Sequence, residues 1–212
     1  MTAIKGSGAS LAVATAAGTP TSAITAISLA NPCVVTAANA LTNGQIVVLT
    51  GIVGTTQLNN RAFVVSAVSG SSFTLKGEDS TGYTAWVSGG IGTPQTMTTI
   101  ANVTNFQGFD GQASEIDVTS LASPAKEFSL GLEDFGQSTF SVFATSGDAG
   151  QAKLRAIKSS ATLTAFSLTL SDGEVTAFMA FVKQYTLTDV KPDGAVGGNI
   201  TLRHSNRPAW LA

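Results

Sequence analysis

A mainly β fold is predicted for this 212-residue chain, and three observations predict it. The composition holds 22 Gly with abundant Thr and Val, which suits strands joined by tight turns better than helices. Charged residues make up only 11%, less than half the usual quarter, so the polar surface must rest on Ser, Thr, Asn, Gln and Gly. Apolar residues recur in short runs bounded by turn signals, and the helical period is credible in one place only. The length suits one ordinary domain or two small ones.

The strands fall into two groups. Ser22 to Ser28, Cys33 to Thr36, Gln45 to Thr50, Ala62 to Val68 and Phe73 to Lys76 are β-rich. Asn31-Pro32, Asn43-Gly44, Gly51 to Gly54, Asn59-Asn60 and Ser69-Gly70 separate them as turns. Composition shifts near Pro20 and at a Gly89 to Gly92 linker, so residues 20–90 are expected to fold as a small barrel or sandwich of their own. Further strands are expected over Ile100 to Phe106, Ala113 to Thr119 and Ser138 to Ala144, then over Thr162 to Leu170, Val175 to Leu187 and Gly198 to His204. Asp172-Gly173 reads as a type I′ hairpin turn. Leu121 to Gln137, interrupted by Ser-Pro, Gly131 and Gly136, reads as a long ordered loop or hairpin arm. The one helix is expected from about Asp148 to Ser160, capped by Ser146 or Asp148, with Gly150, Leu154, Ile157 and Ala161 on one side.

Charge and rare residues exclude several functions. A net charge of -2 without a basic run argues against a surface built to grip phosphates. The single Cys33 excludes an intrachain disulfide and a multi-cysteine zinc site, and its apolar flank marks it as a small core residue. No charge occurs between Lys5 and Arg61, yet Leu11 to Ala30 fails as a membrane span because Gly18, Pro20 and several hydroxyls interrupt it. Lys5 followed by Ala9 to Ala17 imitates a signal peptide only weakly. His204, the only histidine, is expected at a solvated or interface position rather than in a catalytic site. The acid pairs Glu78-Asp79, Glu133-Asp134 and Asp172/Glu174 are explained by turn chemistry and solvation, and Asp110, Glu115 and Asp117 do not have the spacing of a calcium loop. No phosphate loop or dinucleotide fingerprint occurs, so neither enzymatic activity nor a cofactor or metal is expected.

Between Ile100 and Gly136 the wording is more specific: Ile-Ala-Asn-Val-Thr-Asn-Phe, Glu-Ile-Asp-Val-Thr-Ser-Leu, Ser-Pro-Ala-Lys-Glu-Phe and Gly-Leu-Glu-Asp-Phe-Gly. These runs resemble the tail tube proteins of siphophages, the lambda-like family. Lys5-Gly6-Ser7-Gly8 leading into Leu11 and Val13 resembles that family's first strand, and the order from Ser138 to Arg207 matches its helix, hairpin and closing strand. The resemblance implies a discontinuous tail tube domain, residues 1–19 and 91–212, a β-sandwich or barrel with one helix. Residues 20–90 depart from the pattern and resemble a small β-barrel module, the FCCH domain of ubiquitin-activating enzymes, without the catalytic machinery of those enzymes. An insertion is physically cheap when it folds by itself and keeps its ends close.

Family likeness further implies a virion structural protein: hexameric rings stacked into a tube, tape measure and tail terminator proteins as partners, and double-stranded DNA crossing the lumen without specific binding. It implies assembly in the host cytoplasm and no membrane partner. Leu121 to Gln137 resembles the family's inter-ring loop, so its Phe128, Leu130, Leu132 and Phe135 are expected to contact neighbouring subunits or the next ring. Glu115 and Asp117 are candidate lumen acids, on a strand whose other face, Ile116 and Val118, is expected to enter the core. The alternative reading is a secreted or surface adhesin of two β-domains binding glycan or protein.

Overall fold

A computed structural model describes residues 3–209; residues 1–2 and 210–212, counted above in the tube domain, lie outside it. The first half of the chain forms β1 (Ser10–Ala17), β2 (Ala26–Ile27), β3 (Cys33–Thr36), β4 (Ile46–Val53), β5 (Arg61–Ser69), β6 (Ser72–Leu75) and β7 (Ser88–Thr99). The second half supplies β8 (Val103–Gly108), β9 (Gln112–Asp117), β10 (Phe128–Asp134) and β11 (Gln137–Phe143). After α1 (Ala149–Ser160) come β12 (Thr164–Thr169), β13 (Val175–Thr188) and β14 (Gly197–His204). Twelve strands make one curled sheet in the order β2-β3-β6-β5-β4-β7-β1-β12-β13-β14-β11-β8, while β9 and β10 pair only with each other.

This sheet wraps around two main cores. In the first, Leu49, Leu58, Phe63, Phe73 and Leu75 are fully buried with Cys33 and Val35. Thr21 and Ile24 donate backbone bonds to Gly92 and Gly90 of β7, and Ser22 and Thr25 to Ala38 and Thr36, so residues 18–27 close these strands into a small barrel. In the second, alternate residues of β1, β11, β12, β13 and β14 (Leu11, Phe140, Phe166, Phe178, Ile200) meet Leu154 and Ile157 of α1. Asp148 caps α1 by accepting from the Gln151 backbone N–H, and Ala161 ends it in the left-handed region at φ 49°. A third cluster joins the two: Ile46, Ala62 and Val64 of the small barrel pack on Ala14, Ala165, Ala177 and Met179.

Several expectations are corrected. Gly89 to Gly92 is no linker but lies inside β7, whose residues Ser88 to Gln95 pair with β4 and whose residues Gln95 to Thr99 pair with β1. One strand therefore borders both cores. Glycine is required where it turns, because Gly90 has φ +100° and a Cβ there would lie 2.6 Å from Ile52 Cγ1. The run Ser22 to Ser28 is strand only at Ala26–Ile27, since its earlier part leans on β7 through isolated bonds. The turn at Asp172-Gly173 is not type I′, which needs two positive φ values; only Gly173 has one, with its N–H bonded to Leu170 O.

Glu78 is not a solvated loop acid. It is buried, and the buried Arg61 guanidinium grips it through both terminal nitrogens while the Tyr83 hydroxyl donates to it. Arg61 also stacks over Phe63 at 4.7 Å and reaches the Gln57 and Arg207 carbonyls, so its donors are spent inside the fold. His204 is likewise buried rather than solvated, packed between Phe109 and Phe178 with Nε2 2.6 Å from Ser138 Oγ.

Candidate assembly surfaces

The β9–β10 hairpin stands off the body. Its register sets Phe128 opposite Asp117, Ser129 opposite Ile116 and Leu130 opposite Glu115, with a bulge before Glu133. Among the described residues no other strand pairs with it. Ile116 and Val118 are 50% and 49% exposed, contrary to the expected entry of one face into the core, because β9 has no neighbour except β10. Phe128, Leu130 and Leu132 are 55%, 74% and 91% exposed, whereas Phe135 is half-buried beside Phe109 and Pro208 at the hairpin's base. Glu115 and Asp117 are both exposed, on the same side of the ribbon as Leu130 and Phe128. Hydrogen bonds from Thr119 hold the Asp117 carboxyl below the usual range.

Charge pairs fix the base. Arg203 Nη2 lies 2.6 and 2.8 Å from the two oxygens of Asp134, and Arg207 Nη2 lies 2.9 Å from Glu133 Oε2. The Arg203 hydrogen bond, with a second from the Gly136 backbone, depresses the Asp134 carboxyl. Gln137 N donates to Asp110 Oδ1 at 2.6 Å, tying the opposite root of the hairpin. The arm is thus held firmly at one end and bare along its length.

A second surface is the outward side of β13, β14, β11 and β8. Register places Gln184, Thr201, Thr139 and Gln107 side by side in one row across the four strands. Thr186, Asn199, Ser141 and Asn105 form the next row. All eight are exposed or half-exposed, and none carries charge. Ser141 Oγ donates to Asn199 Oδ1 at 2.7 Å, and Ser141 N to Asn105 Oδ1 at 2.8 Å, which knits the second row together. Beyond them β8 ends the sheet with one edge unpaired, above a groove of about 320 Å³ lined by Leu11, Val103, Phe106 and Leu168. The sequence signal for these rows was the alternation of Thr139 and Ser141 with Phe140 and Val142, and of Asn199 and Thr201 with Ile200 and Leu202.

Catalytic geometry is not assembled around the one histidine. Burial pushes the His204 imidazole down to about 4, with Asp110 opposing and Arg203 assisting, and among the described residues its Nδ1 has no hydrogen-bond partner to orient it as a base. Among the described residues no group of three or more His, Cys, Asp or Glu side chains is placed to hold a metal ion, and no helix is long and apolar enough to cross a membrane. Burial raises the Cys33 thiol pKa, which leaves it a poor nucleophile inside the small barrel.

A family model described as phage tail tube, lambda-like, matches residues 81–189, just over half of the chain. The matched segment runs from the last turn of the small barrel through the arm, α1 and all of β13, and leaves residues 20–80 outside. Two solved structures are similar: the virion of a native gene transfer agent particle, at 16% identity over 55% of this chain and 89% of that chain, TM-score 0.47; and the tail of an empty gene transfer agent particle computed with helical refinement in C6 symmetry, at 16% identity over 55% and 87%, TM-score 0.46. No curated protein matches the chain.

Proposed function

Since the chain belongs to the lambda-like phage tail tube family, we propose that this virion structural protein assembles into hexameric rings stacked as a tube through which double-stranded DNA leaves during ejection. The match over residues 81–189 carries the structural reading. The ring is supported by the unpaired edge of β8, because a sheet that ends in a free edge beside an apolar groove can continue into a neighbour's sheet. Six copies of the four strands β13, β14, β11 and β8, at a spacing of about 4.8 Å, would enclose a barrel roughly 37 Å across before strand tilt is added. The tube performs no chemistry of its own. Tape measure and tail terminator proteins are its partners, and assembly takes place in the host cytoplasm before the tube is part of the virion tail.

Phe128, Leu130 and Leu132 are the contact residues of this scheme, bound by the neighbouring subunit or the next ring, with Phe135 anchoring the arm's base. Exposed apolar side chains on a hairpin held only at its root support that role. Glu115 and Asp117 go with the arm, so their carboxylates act at its contacts. Residues 20–90 are an inserted module on the outside of the tube, and nearly all of its core comes from its own residues. Expressed through residue 96 to retain the partner of β4, the module is expected to fold alone, and a random-coil spectrum would refute this.

Sedimentation of the full chain across a concentration series tests assembly. Rings and longer polymers are expected for the native chain and monomers for Phe128→Ser with Leu132→Ser. Polymers of native size from that variant would remove the arm from the account.

A further inference from the structure

We infer that the two uncharged rows on β13, β14, β11 and β8 form the channel wall, and that DNA slides past a neutral, water-bearing lattice of hydroxyls and amides instead of a ring of carboxylates. The inference rests on the tube reading and adds which face is inward and what chemistry it presents.

Three observations carry it. The outward side of β12 and of the first half of β13 is already covered, because Ala165, Ala177 and Met179 are buried under Ile46, Ala62 and Val64 of the small barrel. A sheet face blocked by a folded module cannot line a channel, which leaves the open face of β13, β14, β11 and β8 for that role. Second, the rows lack what a protein contact needs. Interface centres are apolar and aromatic, whereas these eight side chains are Thr, Ser, Asn and Gln at exposed or half-exposed positions. Third, charge lies outside the rows: at the far end the β13–β14 turn pairs Lys191 with Asp189, and the other charges stand at the margin next to the arm. There Lys183 and Arg203 stand with Asp110 and Asp134, two cations against two acids, and Arg203 is already bound to Asp134.

The chemistry suits passage. Binding to duplex DNA is driven largely by Lys and Arg releasing counterions from phosphates, and the rows contain neither. Hydroxyls and amides exchange hydrogen bonds with water at little net gain, so contact with a phosphate offers DNA no strong hold. Six-fold repetition of such a wall adds no repulsive field either, so passage should depend weakly on salt, whereas an acidic wall would make it salt-dependent.

Cys33 is fully buried, so an engineered cysteine is the accessible thiol. Thr139→Cys on the rows is compared with Val53→Cys on the exposed rim of the module, both as tubes of the full chain. A maleimide carried on a protein too wide for the channel should label Val53→Cys in tubes as in dispersed subunits, and lose Thr139→Cys on assembly while a small maleimide still reaches it. Asn199→Cys repeats the experiment on the adjacent strand if Thr139→Cys fails to fold. Equal labelling of both sites by the bulky reagent overturns the assignment of the face. Absence of tubes from the native chain overturns the tube reading and this inference with it. For the chemistry, tubes of Thr139→Lys with Thr201→Lys should retain a short duplex at low salt and release it as salt rises, while native tubes retain none at either. Retention by native tubes, or none by the lysine tubes, refutes the neutral wall.

Discussion

In the small barrel, strands β2 to β7 close on one another through residues 18–27, whereas in the arm β9 and β10 have only each other. The barrel buries Phe63, Phe73 and Leu75, and its one buried acid meets a guanidinium and a phenol. The arm leaves Phe128, Leu130 and Leu132 in water and keeps its ion pairs at the root. Both are β-structure from one chain with few charges. What separates them is whether backbone edges and apolar faces are satisfied within the subunit, and the region that leaves them unsatisfied is the one proposed to meet another copy.

Perturbations of the barrel should therefore cost stability and spare assembly contacts, and perturbations of the arm should do the reverse. The largest effect is expected for Glu78→Ala, which leaves the Arg61 guanidinium buried without its partner and should lower unfolding free energy by about 3–5 kcal/mol in urea titration. A loss below about 1 kcal/mol would mean that water replaces the carboxylate and that the barrel is less closed than described.

Acid is the next lever, and it acts between barrel and arm. His204 is held neutral with a pKa of about 4, below the usual 6.5, so between these values the unfolded chain binds the proton and the folded one does not. Stability contributed by this site is complete above about pH 6.5, falls as pH drops through that window, and is lost by about 3 kcal/mol below pH 4. Replacing Ser138 by Ala and His204 by Phe should flatten the pH profile of the thermal midpoint in that window; an unchanged slope would assign it to carboxylates instead.

Smaller still is Asp148→Ala, which removes the cap of α1 from the tube body and should cost about 1 kcal/mol without altering polymer length. The smallest stability change, within about 0.5 kcal/mol, is expected for Phe128→Ser with Leu132→Ser, because both side chains are exposed in the subunit. If that pair of changes destabilised the monomer by several times this amount, the arm would have to be packed in solution, and the contrast with the barrel would break.

Much of this was legible in the sequence because it is local. Cys33 to Thr36 was read to the residue as β3, and α1 followed its cap and its Leu154–Ile157 stripe. The misses depend on partners far along the chain. Glu78 is buried by Arg61, and His204 finds Ser138, 66 residues away. Gly89 and Gly90 carry the usual mark of a break but serve as the bend of the strand that pairs with both β4 and β1. In the arm the apolar residues and the hairpin-arm alternative were legible while the bounds of β10 were not, since an exposed ribbon has no buried face to impose a clean alternation. The candidate lumen acids were placed by a rule of alternation whose premise, a core beneath β9, is absent.

Electron micrographs of the concentrated native chain in stain, set beside the Phe128→Ser, Leu132→Ser variant, test the central claim most directly. The account predicts stacked rings with an axial hole from the native chain and dispersed, folded monomers from the variant. Dispersed monomers from the native chain at every concentration would contradict it.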